Sequence, residues 1–136
     1  MKPSLAPGIS TIRRITVDRD RTIGFMGDEA RVYATPELVR DIEMTCQQYL
    51  LEHLDPGENT VGTRIELDHL APTPLGMWVD ITVKVVEVKG RALTIEATAR
   101  DALDEIARCR HGRFVVDASK SRERIAAKLA KAKAAS

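Results

Sequence analysis

The sequence predicts an α+β fold: one long amphipathic helix, four consecutive antiparallel strands after it, and a separate helical tail. Three observations carry that prediction. Between Thr35 and Leu54 apolar side chains recur at the 3, 4 spacing of a helix with one buried stripe. From Val61 to Val116 the period changes to alternation, broken by short Pro- and Gly-bearing turns. Strand-rich and helical stretches are segregated along the chain, which leaves one helix to cover one face of a sheet. The 136 residues, 43% of them hydrophobic, suffice for a single domain with a real core and no need of disulfides or a structural metal.

Taken in order, Thr11 to Val17 is a strand candidate rich in β-branched residues. Asp18 to Arg31 is polar and glycine-containing, with Ile23, Phe25 and Met26 as apolar anchors, and reads as a loop or mobile lid. Thr35-Pro36-Glu37 is a helix start, with Thr at the N-cap, Pro at the first helical position and an acid to complement the dipole. The helix should run to about Leu54, before Asp55-Pro56-Gly57, with Leu38, Val39, Ile42, Cys46, Tyr49 and Leu50 in its stripe. Glu43 falls angularly between Leu50 and Leu54, at the stripe's border.

Val61, Thr63, Ile65, Leu67 and His69 should share the buried face of the next strand. A strand from Met77 to Val88 follows, with Val79, Ile81, Val83 and Val85 inward, then a tight turn at Lys89-Gly90-Arg91. Leu93, Ile95, Ala97 and Ala99 carry the third strand, and Glu105 to about Val116 the last. Residues 1–118 are expected to form the domain. Residues 119–136 form a basic helical tail with six Lys or Arg against one Glu, so the net charge of +1 conceals a basic end on an acidic body.

No apolar run reaches the roughly 20 residues of a membrane helix and the first ten residues lack a signal-peptide core, so the expected compartment is cytoplasmic. Cys46 and Cys109 are too few for a metal cage and fall at core positions. There is no nucleophile elbow, phosphate loop, HExxH or CxxC, so chemistry has to come from scattered polar residues at buried edges. Thr35 begins the helix, Glu43 borders its stripe and His69 ends an apolar strand face. A hydroxyl, a carboxylate and an imidazole brought to one rim of the core suit acyl transfer.

Val32-Tyr33-Ala34-Thr35, Glu43, Asp55-Pro56-Gly57-Glu58, Gly62-Thr63, His69, Thr73-Pro74-Leu75-Gly76, Gly90-Arg91, Asp104-Glu105-Ile106 and His111-Gly112-Arg113, in this order and spacing, resemble the fluoroacetyl-CoA thioesterase-like family. The resemblance runs from about Val32 to Val116. It implies a hotdog fold, an antiparallel sheet wrapped around one long central helix, assembled as a homodimer with active sites at the subunit interface and open to pairing into tetramers. Carried over by position, it makes Thr35, Glu43 and His69 the catalytic set, leaving open whether Thr35 or Glu43 attacks the thioester. It puts Gly62 beside the reacting carbonyl, where a glycine lets a ligand approach the backbone closely. Arg113, with Arg110, is the candidate for CoA phosphates.

The implied activity is hydrolysis of a short acyl-CoA to CoA and a carboxylate, with no metal or redox cofactor. The family's fluoroacetyl-hydrolysing member carries a longer, aromatic-rich segment before the Thr motif. Asp18 to Arg31 has only Phe25, so that specificity does not carry over. A non-catalytic acyl-CoA sensor on the same fold is the rival, since fold alone does not fix activity. A nucleic-acid role for the tail lacks the interleaved aromatics of such surfaces, with Phe, Trp and Tyr only 4% of the chain.

Overall fold

The computed structural model describes residues 1–136. Strand β1 (Ser10–Thr16) leads into a strap made of a 3₁₀ turn at Arg19–Arg21, the two-residue strands β2 (Thr22–Ile23) and β3 (Val32–Tyr33), and a second 3₁₀ turn at Asp28–Ala30. Helix α1 (Thr35–Leu51) follows, then β4 (Glu58–His69), β5 (Trp78–Lys89), β6 (Ala92–Arg100), β7 (Glu105–Asp117) and helix α2 (Ala118–Ala135). The five long strands form one antiparallel sheet in the order β1-β5-β6-β7-β4. α1 crosses its inner face, which is the expected hotdog arrangement. The expected α+β class, the four strands after the helix and the helical tail are all present.

The core forms where the stripe of α1 meets the alternating faces of the strands. Leu38, Ile42, Cys46 and Leu50 are buried against Val79, Ile81, Val83 and Val85 of β5, Leu93, Ile95, Ala97 and Ala99 of β6, and Ile106, Cys109 and Val115 of β7. Each fully buried Leu, Ile or Val contributes about 1.5–3 kcal/mol relative to exposure, which outweighs the modest helix propensity of β-branched residues in α1.

Four sequence expectations are corrected. The N-cap of α1 is Ala34, with Thr35 and Pro36 as the first two helical residues, so the Thr35 hydroxyl caps nothing. The helix ends at Leu51 and not Leu54, although Leu54 remains buried in the turn beyond. The Asp18–Arg31 segment is a pinned strap, not a loose lid: Arg21 Nε donates to Asp41 Oδ2 at 2.9 Å, the Tyr33 hydroxyl donates to the same carboxylate, and Arg31 Nε donates to Thr22 Oγ1 at 2.8 Å. Asp41 is buried on the helix between Arg21 and Tyr33; its carboxylate holds the Arg21 guanidinium charge, and burial first, with Asp41 second, pushes the Tyr33 phenol up.

The fourth correction concerns β4. Its register against β7 shifts between Gly62 and Arg64, which leaves Thr63 as the extra residue of a bulge. Thr60 and Gly62 face α1 before the bulge, and His69 faces it afterwards. Val61 is therefore turned outward, opposite Phe114, and is 45% exposed. A single alternating face from Val61 to His69 does not exist. β4 is also one of the two outer strands of the sheet, with β1 at the other edge, and Val61 and Ile65 lie exposed along it.

Candidate active site

At the start of α1 the chain brings two of the expected residues together. A hydrogen bond of 2.7 Å joins Thr35 Oγ1 to His69 Nδ1 at the end of β4. The hydroxyl is available for this bond because Ala34, not Thr35, sits at the cap. Burial lowers the pKa of His69, partly offset by a backbone hydrogen bond at Ala71, which favours the neutral imidazole able to take up a proton. His69 Nε2 is buried and has no partner within the chain. The pair lies on the floor of a cavity of about 350 Å³ walled by Ile23, Phe25, Met26, Val32 and Leu70. A hydroxyl bonded to a neutral imidazole under an apolar wall can position water or attack a carbonyl carbon.

Glu43 lies elsewhere. Eight residues along a helix rise about 12 Å, and Thr35 and Glu43 share no side-chain contact. The surroundings of Glu43 are charged and only partly covered. Its Oε2 is 3.6 Å from Arg113 Nη1, and a Cβ on Gly62 would come within 2.7 Å of the same oxygen. A side chain at 62 would thus displace the Glu43 carboxylate from its present place. Arg113 is 4% exposed, with Nε donating to Thr60 Oγ1 at 2.8 Å and Nη2 to Thr60 O at 3.0 Å. Arg110 points to the opposite face of the sheet, where its guanidinium donates to Glu96 at 3.1 Å.

The structure therefore joins Thr35 to His69, and Glu43 to Gly62 and Arg113, as two separate clusters, and leaves Arg110 apart from both. The largest surface depression, about 680 Å³, is on Arg110's face. Its Glu96–Arg110 pair is already matched across strands, and it contains none of the catalytic candidates. The cysteines offer no alternative nucleophile, since burial pushes Cys46 up to about 12 and Cys109 up to about 11. Sequence reasoning missed His111, which is buried beside Arg113, and Asp41, which anchors the strap. Asp41 sits one residue before the stripe position Ile42 and was legible only as a polar intrusion on that flank.

These features define a hotdog protein with a hydroxyl–imidazole pair at the rim of its core, and the comparisons place it further. A family model described as fluoroacetyl-CoA-specific thioesterase matches residues 17–119, and the chain belongs to that family. It is 37% identical over 89 residues to the fluoroacetyl-CoA thioesterase of Streptantibioticus cattleyicolor, a match covering 65% of this chain and 64% of that relative's length. The solved structure of the fluoroacetyl-CoA thioesterase FlK superposes with a TM-score of 0.83 at 28% identity, covering 91% of this chain and 97% of the other. A hot-dog-like protein from Thermanaerovibrio acidaminovorans gives 0.83 at 24% identity, covering 93% of each chain. No helix is long and apolar enough to cross a membrane.

Proposed function

We propose that the protein is a cytoplasmic acyl-CoA thioesterase acting on short, uncharged acyl groups, with each active site completed between two subunits. The observation that carries the reading is the Thr35–His69 hydrogen bond at the floor of an apolar cavity. The acyl group enters beneath Ile23, Phe25 and Met26, with its carbonyl carbon near Thr35. The oxygen of water ends on the acyl carbon, the C–S bond breaks, and the thiolate leaves with the proton relayed through His69. Glu43 acts as base for the water or attacks first to form an anhydride that water then opens. Either route yields CoA and a carboxylate, and neither needs a metal or redox cofactor.

The separation of about 12 Å between Thr35 and Glu43, together with the unpartnered His69 Nε2, supports a site that pairs Thr35 and His69 with the partner subunit's Glu43 and Gly62. The twelve-residue outer strand β4 offers the surface for that dimer: a long edge with exposed Val61 and Ile65 is a template for pairing with a second copy. Two such dimers pairing into a tetramer would leave this interface unchanged. Gly62 supplies close backbone approach to the carbonyl oxygen.

The test is release of free CoA from a panel of acyl-CoAs varied in chain length and polarity. Turnover of short neutral acyl-CoAs, with poor turnover of those bearing a terminal carboxylate, is expected. Binding of acyl-CoA without release of CoA from any of them would replace the enzyme with a sensor.

A further inference from the structure

We propose that His111 and Arg113 are positioning residues for Glu43, a buried pair on β7 that holds the carboxylate against Gly62. The inference rests on the thioesterase reading for its kinetic consequence, and on the geometry alone for the pairing. His111 Nδ1 lies 2.7 Å from the carbonyl oxygen of Arg64. A carbonyl only accepts, so Nδ1 carries the proton and Nε2 is left as an acceptor. Arg113 Nη1 donates to that Nε2 at 3.1 Å. With Nε and Nη2 both taken by Thr60, the guanidinium is fixed in the plane that presents Nη1 to Glu43 Oε2 at 3.6 Å.

Two further features make this an arrangement and not a chance contact. Arg113 and His111 are 4% and 1% exposed, and a buried cation without a carboxylate is strongly disfavoured. Glu43 is the one acid in ion-pair contact with Arg113, while its own side chain remains 42% exposed and open to a ligand. The bulge in β4 frees the Arg64 carbonyl toward His111 and turns Gly62 under the carboxylate, so backbone irregularity and buried pair belong to one device. On this reading the buried guanidinium serves the carboxylate in place of the CoA phosphates expected for Arg113 from the sequence.

The test compares Arg113→Met, Arg113→Lys and His111→Asn by CoA release and by the carboxyl carbon resonance of Glu43. Misplacement of a reacting group costs about 10²-fold, so Arg113→Met should lower kcat by that order with KM changed less than about twofold. Lysine keeps the charge but not the fork and should recover only part. In a Glu43→Gln background, Arg113→Met should cost less than about a further twofold, because residues acting as a unit are not additive. The same loss in both backgrounds, or a raised KM with unchanged kcat, would overturn the proposal.

His111→Asn, which retains a donor toward Arg64 but loses the Nε2 acceptor, should show a smaller loss of kcat alone, and it carries the test if Arg113→Met does not fold. A shifted Glu43 resonance in a protein that hydrolyses no acyl-CoA would leave the pairing standing and remove only the thioesterase. A resonance unmoved by both substitutions would remove the pairing itself.

Discussion

Thr35 and Glu43 lie on the same helix, yet their surroundings share almost nothing. Thr35 meets a neutral imidazole at 2.7 Å under an apolar wall that opens to solvent through Phe25, 73% exposed. Glu43 meets a buried guanidinium that is itself held by a histidine and a threonine. The first cluster suits an uncharged acyl group and a proton relay. The second suits a fixed negative charge close to the Gly62 backbone. On the proposed function a thioester meets both kinds of surroundings at one carbon, and two turns of helix separate them within the chain. The contrast teaches that one chain folds two unlike clusters, each preorganised by its own neighbours, and on the proposed function it is assembly and not folding that would bring them together.

The strongest test of that contrast removes the charged half. Glu43→Gln keeps shape and should cut hydrolysis by about 10² to 10⁴ with an unchanged circular dichroism spectrum; a wild-type rate would show that the neutral cluster works alone. Thr35→Ala should abolish most turnover and Thr35→Ser should retain it. Because the hydroxyl caps no helix, the loss of about 1 kcal/mol expected for a deleted cap should not appear in the melting temperature of either.

Mixing separates assembly from folding more directly. Subunits carrying Glu43→Gln and subunits carrying His69→Ala, each inactive, should regain about a quarter of wild-type activity when exchanged one to one, since half the dimers are hybrids with one intact site. No recovery after verified exchange would put the whole site within one chain.

Smaller effects follow from burial. The pKa values of His69 and His111 are both lowered from 6.5, by burial first. Below 6.5 the unfolded chain takes up protons that the native chain refuses, so stability is full above that pH and falls as pH drops toward the native values. Melting curves between pH 5 and pH 8 should show this decline, and His111→Asn should flatten it. The smallest effect is expected from deleting residues 118–136. α2 contains no buried residue, and Ile125 and Leu129 are 68% and 54% exposed, so the truncated domain should keep its melting temperature and most of its activity.

The helix, the four strands and the inward faces of β5 and β6 were legible in the sequence because burial there is strictly periodic, as in Val79, Ile81, Val83 and Val85. Thr35, Glu43 and His69 were legible as polar residues at apolar borders and through resemblance. Three things were not. Position 35 and not 34 looked like the cap because threonine caps well, and the sequence cannot show that its hydroxyl has a competing partner 34 residues away. The strap seemed loose because its anchor, Asp41, lies on another element. His111 and Arg113 passed for strand residues and a phosphate ligand because a pattern of alternation does not say which polar side chains turn inward.

The bulge at Thr63 fixes a counting rule for the strand. Gly62 and His69 are seven positions apart, an odd number, and on a regular strand they would face opposite sides. One supernumerary residue puts both toward α1. A single insertion or deletion beyond the bulge, between Arg64 and Asp68, that leaves the register of β4 on β7 otherwise intact would throw either the glycine or the imidazole to the outer face, while a paired change of two, or loss of Thr63 itself, would spare both. Chain length along this stretch is therefore quantised by the chemistry it carries, and a variant library of one- and two-residue length changes between 64 and 68 should split cleanly into inactive odd members and active even ones.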